Sequence, residues 1–188
     1  MKSITIALSG NPNSGKTTIF NNLTGANQKV GNWPGVTIEK KEGKARHKEY
    51  DINIVDLPGT YSLTPFSVEE IAARDFILTG DPDVVVNIID ASNLERSLYL
   101  AMQVAELGKP VVFVLNMADV ARSRGISIDA EQISTLLNIP VVFTVGNKNQ
   151  GTETLLDTAI NEAVFASKNK KRRGIKYSGE IEKCIESV

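Results

Sequence analysis

A single cysteine (Cys184), a single histidine (His47) and a single tryptophan (Trp33) stand among 188 residues. One thiol cannot close an internal disulfide, and one imidazole beside it leaves no Cys/His metal cluster. No apolar run approaches the ~18 residues of a membrane helix. The opening MKSITIALSG turns polar too soon for a secretory signal, so the chain is expected in the cytosol. An excess of one charge is also missing: Lys plus Arg number 21 against 22 for Asp plus Glu, a net charge of -1. No general positive field exists to gather nucleic acid. What is present, 41% hydrophobic and 23% charged residues, is the balance of a folded domain, and the length suits one domain with a short appendage.

Apolar runs rich in β-branched residues recur at 3–9, 52–56, 84–90, 111–116 and 140–145. Each is expected to be a strand buried on both faces. Helical patterns separate most of them, at 16–23, 67–78, 94–107, 129–137 and 152–165. This alternation predicts a parallel sheet covered by helices. Ser67 and Glu70 are spaced as a capping box, and Gly108 before Pro110 closes the long helix. The polar stretch 39–47, a short turn ahead of the 52–56 strand, predicts an antiparallel edge strand. The expectation is an α/β fold with a six-stranded, mostly parallel mixed sheet.

Directly after the first strand comes Gly10-Asn11-Pro12-Asn13-Ser14-Gly15-Lys16-Thr17, a full match to the phosphate-loop pattern G-x-x-x-x-G-K-[ST] in the strand-loop-helix setting it requires. Its glycines let backbone N–H groups turn inward around phosphates, and the helix starting near Lys16 aims its positive end at them. Lys16 reaches for β- and γ-phosphate oxygens, Thr17 offers a hydroxyl to Mg²⁺, and Thr18 follows in the same turn. Asp56-Leu57-Pro58-Gly59 ends a strand, setting a carboxylate beside the magnesium through water and the Gly59 N–H beside the γ-phosphate. In the loop Gly31-Asn32-Trp33-Pro34-Gly35-Val36-Thr37, Thr37 is the candidate for the second Mg²⁺ hydroxyl. Lys16, Thr37, Gly59 and Asn13 form the candidate catalytic set.

Base choice falls to Asn116-Met117-Ala118-Asp119. A carboxylate at Asp119 accepts both N1–H and the exocyclic amine of guanine, whereas adenine leaves it unpaired at a cost of about 2–3 kcal/mol, roughly a hundredfold in affinity. Asn116 braces the loop and the purine edge. Val145-Gly146-Asn147 offers backbone N–H groups to the guanine oxygen. The expected ligands are GTP and GDP.

The set GNPNSGKT, GNWPGVT, DLPG and NMAD, with the stretch DASNLERSLYL at 90–100, resembles the G domain of FeoB-type ferrous-iron transporters. The resemblance implies a Ras-like P-loop GTPase fold, slow Mg²⁺-dependent hydrolysis of GTP, and regulation of Fe²⁺ uptake from the cytoplasmic face of a membrane. It also implies a helical domain and a transmembrane permease region as partners in the same parent chain, with self-association open. Asn13 is similar to the asparagine of potassium-stimulated members, so the resemblance implies a K⁺ held by Asn13, the backbone of 31–33 (Gly31, Trp33) and the phosphates. Met117 agrees with that family. Thr60 stands where Ras-type enzymes carry a water-orienting glutamine, and Val145-Gly146-Asn147 departs from the usual Ser-Ala type of fifth element.

The G domain is expected over 1–166, with 167–188 a basic linker (KNKKRR at 168–173) and the start of a truncated helical domain. The basic run reads as a helix end or a contact for anionic lipid, Cys184 as a packing residue, His47 as solvated, and Trp33 as either a phosphate-responsive lid or a surface anchor. Two rival functions remain: a soluble potassium-dependent GTPase of tRNA modification or ribosome assembly, and a nucleotide-gated scaffold without turnover.

Overall fold

The structure, a computed structural model, describes residues 2–169. Its strands are β1 (Lys2–Gly10), β2 (Gln28–Asn32), β3 (Glu39–His47), β4 (Tyr50–Asp56), β5 (Val84–Asp90), β6 (Val111–Asn116) and β7 (Val141–Phe143). Its helices are α1 (Lys16–Thr24), α2 (Val68–Thr79), α3 (Leu94–Glu106), α4 (Ala118–Ser123), α5 (Ala130–Leu137) and α6 (Thr152–Asn169). The strands form one sheet in the order β2-β3-β4-β1-β5-β6-β7. β3 runs antiparallel to β2 and β4, and the remaining pairs are parallel.

The sheet therefore has seven strands where six were expected. The added strand, β2, is Gln-Lys-Val-Gly-Asn, exposed at every position. Nothing in its hydrophobicity marks it. It is an edge strand by virtue of pairing with β3 from Gln28↔Gly43 to Asn32↔Glu39. α4 was also unforeseen, being too short to show a period, and the strand expected over 140–145 contracts to Val141–Phe143. The signed boundaries hold: Ser67 Oγ accepts from the Glu70 N–H at 3.1 Å while Glu70 Oε2 accepts from the Ser67 N–H at 3.0 Å.

The central strands are buried on both faces, which is why their sequences show unbroken apolar runs. Ile4, Ile6 and Leu8 of β1 join Ile19 and Phe20 of α1 and Leu155 and Ala159 of α6 on one face. Ala7 of β1 and Val85 and Ile89 of β5 join Ala73 and Ile77 of α2 and Leu100 and Val104 of α3 on the other. Three layers result, with the ends of β1, β4, β5 and β6 opening on one rim, where a doubly wound sheet places its ligand.

His47, expected to be solvated, is instead tied down: its Nε2 lies 2.8 Å from Oδ1 of Asp157 on α6, and its side chain is mostly covered. Lys48 donates to the same oxygen. The β3–β4 turn is thereby fastened to α6, a contact between residues more than a hundred apart that no local pattern announces. The Lys48 and His47 hydrogen bonds hold the Asp157 carboxyl below the usual carboxylate range. A depressed folded-state pKa gives stability that is full above the unfolded value near 4 and is lost as pH falls through the folded value. Asp157→Asn is therefore expected to lower the thermal midpoint at pH 7, with the gap to the parent chain narrowing as pH falls from about 5 towards 3; a gap independent of pH over that range would contradict the assignment.

Candidate functional site

The connection from β1 to α1 is the phosphate loop. Gly15, the N-cap of α1, has φ +86°, and a Cβ there would lie 2.2 Å from Asn116 Nδ2. Only glycine meets both demands. Because no side chain caps α1 and its first turn has no acidic residue, its leading N–H groups are free to bind an anion. Asn13 takes a left-handed backbone at φ 65°, a conformation asparagine tolerates. A cavity of about 580 Å³ brings together Asn11, Pro12, Asn13, Gly15, Lys16, Thr17, Thr18, Gly59 and Met117, a volume within the usual range of small-molecule sites. Gly10 lies behind it, its carbonyl accepting from the Thr60 N–H at 3.3 Å. Gly59 closes the wall: a Cβ on it would sit 3.4 Å from the Pro12 backbone.

Lys16 and Asp56 form an ion pair, with the side chains only 10% and 7% exposed. Register places Asp56 beside Leu8 at the end of the sheet. Two nearly buried charges at the mouth of a phosphate cavity satisfy each other, so each is held ready without an orphaned charge in the interior. The donor types suit a small hard cation: the Thr17 hydroxyl and the Asp56 carboxylate are oxygen ligands of the kind Mg²⁺ takes.

The loop with Gly31, Trp33 and Thr37 is not among the residues lining this cavity. Gly31 is paired in β2 opposite Lys40. The Trp33 N–H donates to the Ile38 carbonyl at 2.9 Å, and the Trp33 carbonyl accepts from the Val36 N–H at 3.2 Å, so the loop closes on itself. Trp33 is not a surface anchor: its indole is buried, edge-on to Phe76 of α2 at 5.4 Å, with the Lys40 ammonium 5.1 Å above the ring. Burial against α2 carries the loop away from the phosphate cavity.

At the other end of the rim, Asn116 is 2% exposed and makes three hydrogen bonds. Its Nδ2 donates to the Ser14 carbonyl at 2.9 Å, while Oδ1 accepts from the Thr144 hydroxyl and the Gly146 N–H, both at 3.0 Å. One amide thus locks the phosphate loop to the loop after β7. The same bond occupies the Gly146 N–H, and the Val145 N–H goes to the Gln150 carbonyl. Of the three backbone donors expected to face guanine, only that of Asn147 is left without a partner among the described residues. Met117, in the left-handed region at φ 59°, begins α4 and turns towards the cavity. Asp119 accepts from the Val120 N–H at 3.0 Å and from Lys148 Nζ at 2.8 Å. The Lys148 hydrogen bond holds its carboxyl below the usual range, so it stays ionised at neutral pH.

Sequence reasoning missed Lys148, which lies in the polar stretch 147–150 and carries no motif. It also missed Tyr61 and Arg96, which stand against the outer side of the phosphate loop: the Arg96 guanidinium carbon is 4.3 Å from the Tyr61 ring centroid, and the Arg96 carbonyl accepts from Asn11 Nδ2 at 3.4 Å. The stretch 90–97 holds itself in shape, Asp90 accepting from Ser92 and Asn93. α6 extends to Asn169 and so takes in the first two residues of the 168–173 run, whereas its remaining residues, Cys184 and the expected helical appendage lie outside the described residues. Among the described residues no helix is long and apolar enough to cross a membrane.

Removing the Asn116 amide strands a buried carbonyl, a hydroxyl and an N–H together. Asn116→Ala is expected to cost about 2–5 kcal/mol of stability in equilibrium urea unfolding, and a cost below about 1 kcal/mol would contradict the bracing role.

A family model described as Ferrous iron transport protein B matches residues 4–159. The chain is 52% identical over 159 residues to the Fe(2+) transporter FeoB of Salmonella typhimurium, covering 82% of this chain and 21% of that protein. It resembles the solved G domain of the T. maritima FeoB iron transporter at 45% identity and a TM-score of 0.80, over 86% of this chain and 99% of that one. It likewise resembles the cytosolic domain of T. maritima FeoB in a GDP form at 42% identity and a TM-score of 0.88, over 100% of this chain and 72% of that one. The chain spans about a fifth of the length of the curated relatives it matches. With its phosphate loop, the loop around Trp33 and the Asn116–Asp119 turn set on one sheet, the chain belongs to the FeoB family and corresponds to its N-terminal G domain.

Proposed function

We propose that this domain binds guanine nucleotides, hydrolyses GTP to GDP and phosphate, and acts as the cytoplasmic switch of a ferrous-iron transporter. The observation that carries the reading is the single rim on which Asn116 ties the phosphate loop, whose Lys16 pairs with Asp56, to the loop after β7, whose Lys148 holds the Asp119 carboxylate. Membership in the FeoB family supports the transport setting, and with it a helical and a membrane-embedded partner region in the parent chain. No observation favours an RNA-directed GTPase.

In this reading the orphan N–H groups of α1 and the loop amides receive the phosphates, and Lys16 turns from Asp56 to the β- and γ-oxygens. Thr17 and Asp56 would hold Mg²⁺, with Thr37 joining when its loop closes; the metal neutralises phosphate charge. The Gly59 N–H meets the γ-phosphate and so distinguishes GTP from GDP. Asp119 selects guanine, and Asn147 is the backbone donor open to the purine oxygen. Asn13 supplies an amide oxygen to K⁺, which would contribute the positive charge an arginine finger gives elsewhere; the carbonyls of Gly31 and Trp33 join it only if their loop moves to the cavity. Thr60 is buried, with its N–H on Gly10, so water is oriented without a side-chain base at that position. A slow intrinsic rate follows, on the order of 10⁻⁴ to 10⁻² per second.

Single-turnover hydrolysis measured in KCl and in NaCl tests this directly. GTP turnover faster in KCl is expected, with the potassium effect lost in Asn13→Ala; equal rates in both salts would remove the cation from the mechanism. Calorimetry with Asp119→Asn is expected to show about a hundredfold weaker GDP binding and a gain for xanthine nucleotides, and unchanged GDP affinity would refute the base assignment.

A further inference from the structure

The segment that follows Gly59 is gripped from one side by α3. Arg96 and Gln103, seven residues apart, fall on one face of that helix. Arg96 stacks its guanidinium on the Tyr61 ring at 4.3 Å, and Gln103 Oε1 accepts from the Leu63 N–H at 2.8 Å. Leu63 is itself buried. The backbone of Arg96 meanwhile accepts from Asn11 of the phosphate loop. A polar cavity of about 170 Å³ separates these parts, with Asn13, Ser14, Tyr61 and Arg96 in its walls. The same helix thus touches the phosphate loop and the segment that follows Gly59, beside a cavity that shares Asn11, Pro12 and Asn13 with the larger phosphate-loop cavity.

We infer that Arg96 is a positioning residue for hydrolysis: by stacking on Tyr61 it holds the Gly59–Thr60 backbone against the phosphate loop, where the Gly59 N–H can read a γ-phosphate. The inference rests on the function proposed above and adds a residue to it. Three fixed points support it. The Thr60 N–H is on the Gly10 carbonyl at 3.3 Å. Gly59 faces the Pro12 backbone, which a Cβ added there would meet at 3.4 Å, van der Waals contact. Tyr61, next in sequence, is 44% exposed and, among the interactions described, has only the guanidinium as a specific partner. Without Arg96 that ring is free to swing into solvent and the backbone before it loses one restraint. An exposed cation–π contact changes such a population by about two- to fivefold. Only the γ-phosphate is affected, because the contact acts through Gly59; GDP has no group there.

The test is a double-mutant cycle with two readouts on the 188-residue chain. Arg96→Ala and Tyr61→Leu are each expected to slow single-turnover GTP hydrolysis about two- to fivefold, with the GDP dissociation constant unchanged. The double variant is expected to be no slower than either single one, since both remove the same contact. Tyr61→Phe, which keeps the ring face, restores turnover. Amide exchange gives the second readout: Arg96→Ala is expected to speed exchange at 60–63 and leave α1 unaffected. Additive losses, an equal loss of GDP affinity, or unaltered exchange at 60–63 would overturn the inference. An unsubstituted chain that binds GDP yet never turns over GTP would overturn the hydrolytic reading beneath it, while accelerated exchange in Arg96→Ala would still report the restraint on its own.

Discussion

The arrangement depends on one buried amide. Asn116 sits at the end of β6, where a polar side chain would be costly without partners, and it commits both ends of its amide to backbone from two different loops. The Ser14 carbonyl fixes the phosphate loop from beneath, and the Gly146 N–H fixes the loop after β7. The phosphate loop has only the Ser14-to-Asn11 backbone turn of its own, and the loop after β7 only one 3-10 turn at Gly146–Lys148 closed by the Val145–Gln150 bridge. A shift of either by an ångström would break a short hydrogen bond in a place water does not reach, so the two halves of the nucleotide cleft are set relative to each other by the sheet itself. Gly15 is the complement of this device: a Cβ there would occupy the space the Asn116 amide fills.

Charge is arranged on the same plan. Lys16 and Asp56 lie at the phosphate cavity with little exposure, Lys148 covers Asp119 at the base loop, and each carboxylate is matched by an ammonium. The near-zero net charge of the chain thus conceals local order, since the acids and bases that bear on the site are paired across it. In the proposed reading a phosphate ligand would take Lys16 from Asp56, and the carboxylate released would join the Thr17 hydroxyl as an oxygen donor. Binding of an anion and binding of a hard cation would then be coupled through one ion pair, a coupling that neither residue would supply alone.

What was legible in the sequence was whatever depends on local chemistry. The phosphate loop, the capping box at Ser67 and the doubly buried strands are each written in consecutive residues, and the family follows from the motifs strung between them. β2 was not legible, because Gln28–Asn32 has no alternation and becomes a strand only through its neighbour. The Trp33 environment was not legible either: a tryptophan in a Gly- and Pro-rich loop gives no sign that Phe76 waits on α2. His47 with Asp157, Lys148 with Asp119, and Arg96 with Tyr61 are all contacts across long stretches of chain. The candidate binding residues could be named from spacing, while the residues that hold them in place could be found only in three dimensions.

Trp33 sets the scale of any switch. For Thr37 to reach the phosphate cavity, the 33–38 loop has to move, and its backbone is closed by hydrogen bonds from Trp33 to Ile38 and from Val36 to Trp33. Its indole lies buried on Phe76 beneath Lys40. Withdrawing a buried aromatic costs about 2–3 kcal/mol, with more lost from the ring and cation contacts. A ligand that stabilises the displaced loop must exceed that figure by its differential contacts, because a ligand with equal affinity for both arrangements shifts nothing. A γ-phosphate and its metal would offer charge-assisted bonds of about 1.5–3 kcal/mol each, so one such contact falls short of the cost and about two are needed to balance it. In the proposed reading the loop rests on α2 through Trp33 and would be drawn to the cavity only by several phosphate and metal contacts acting together.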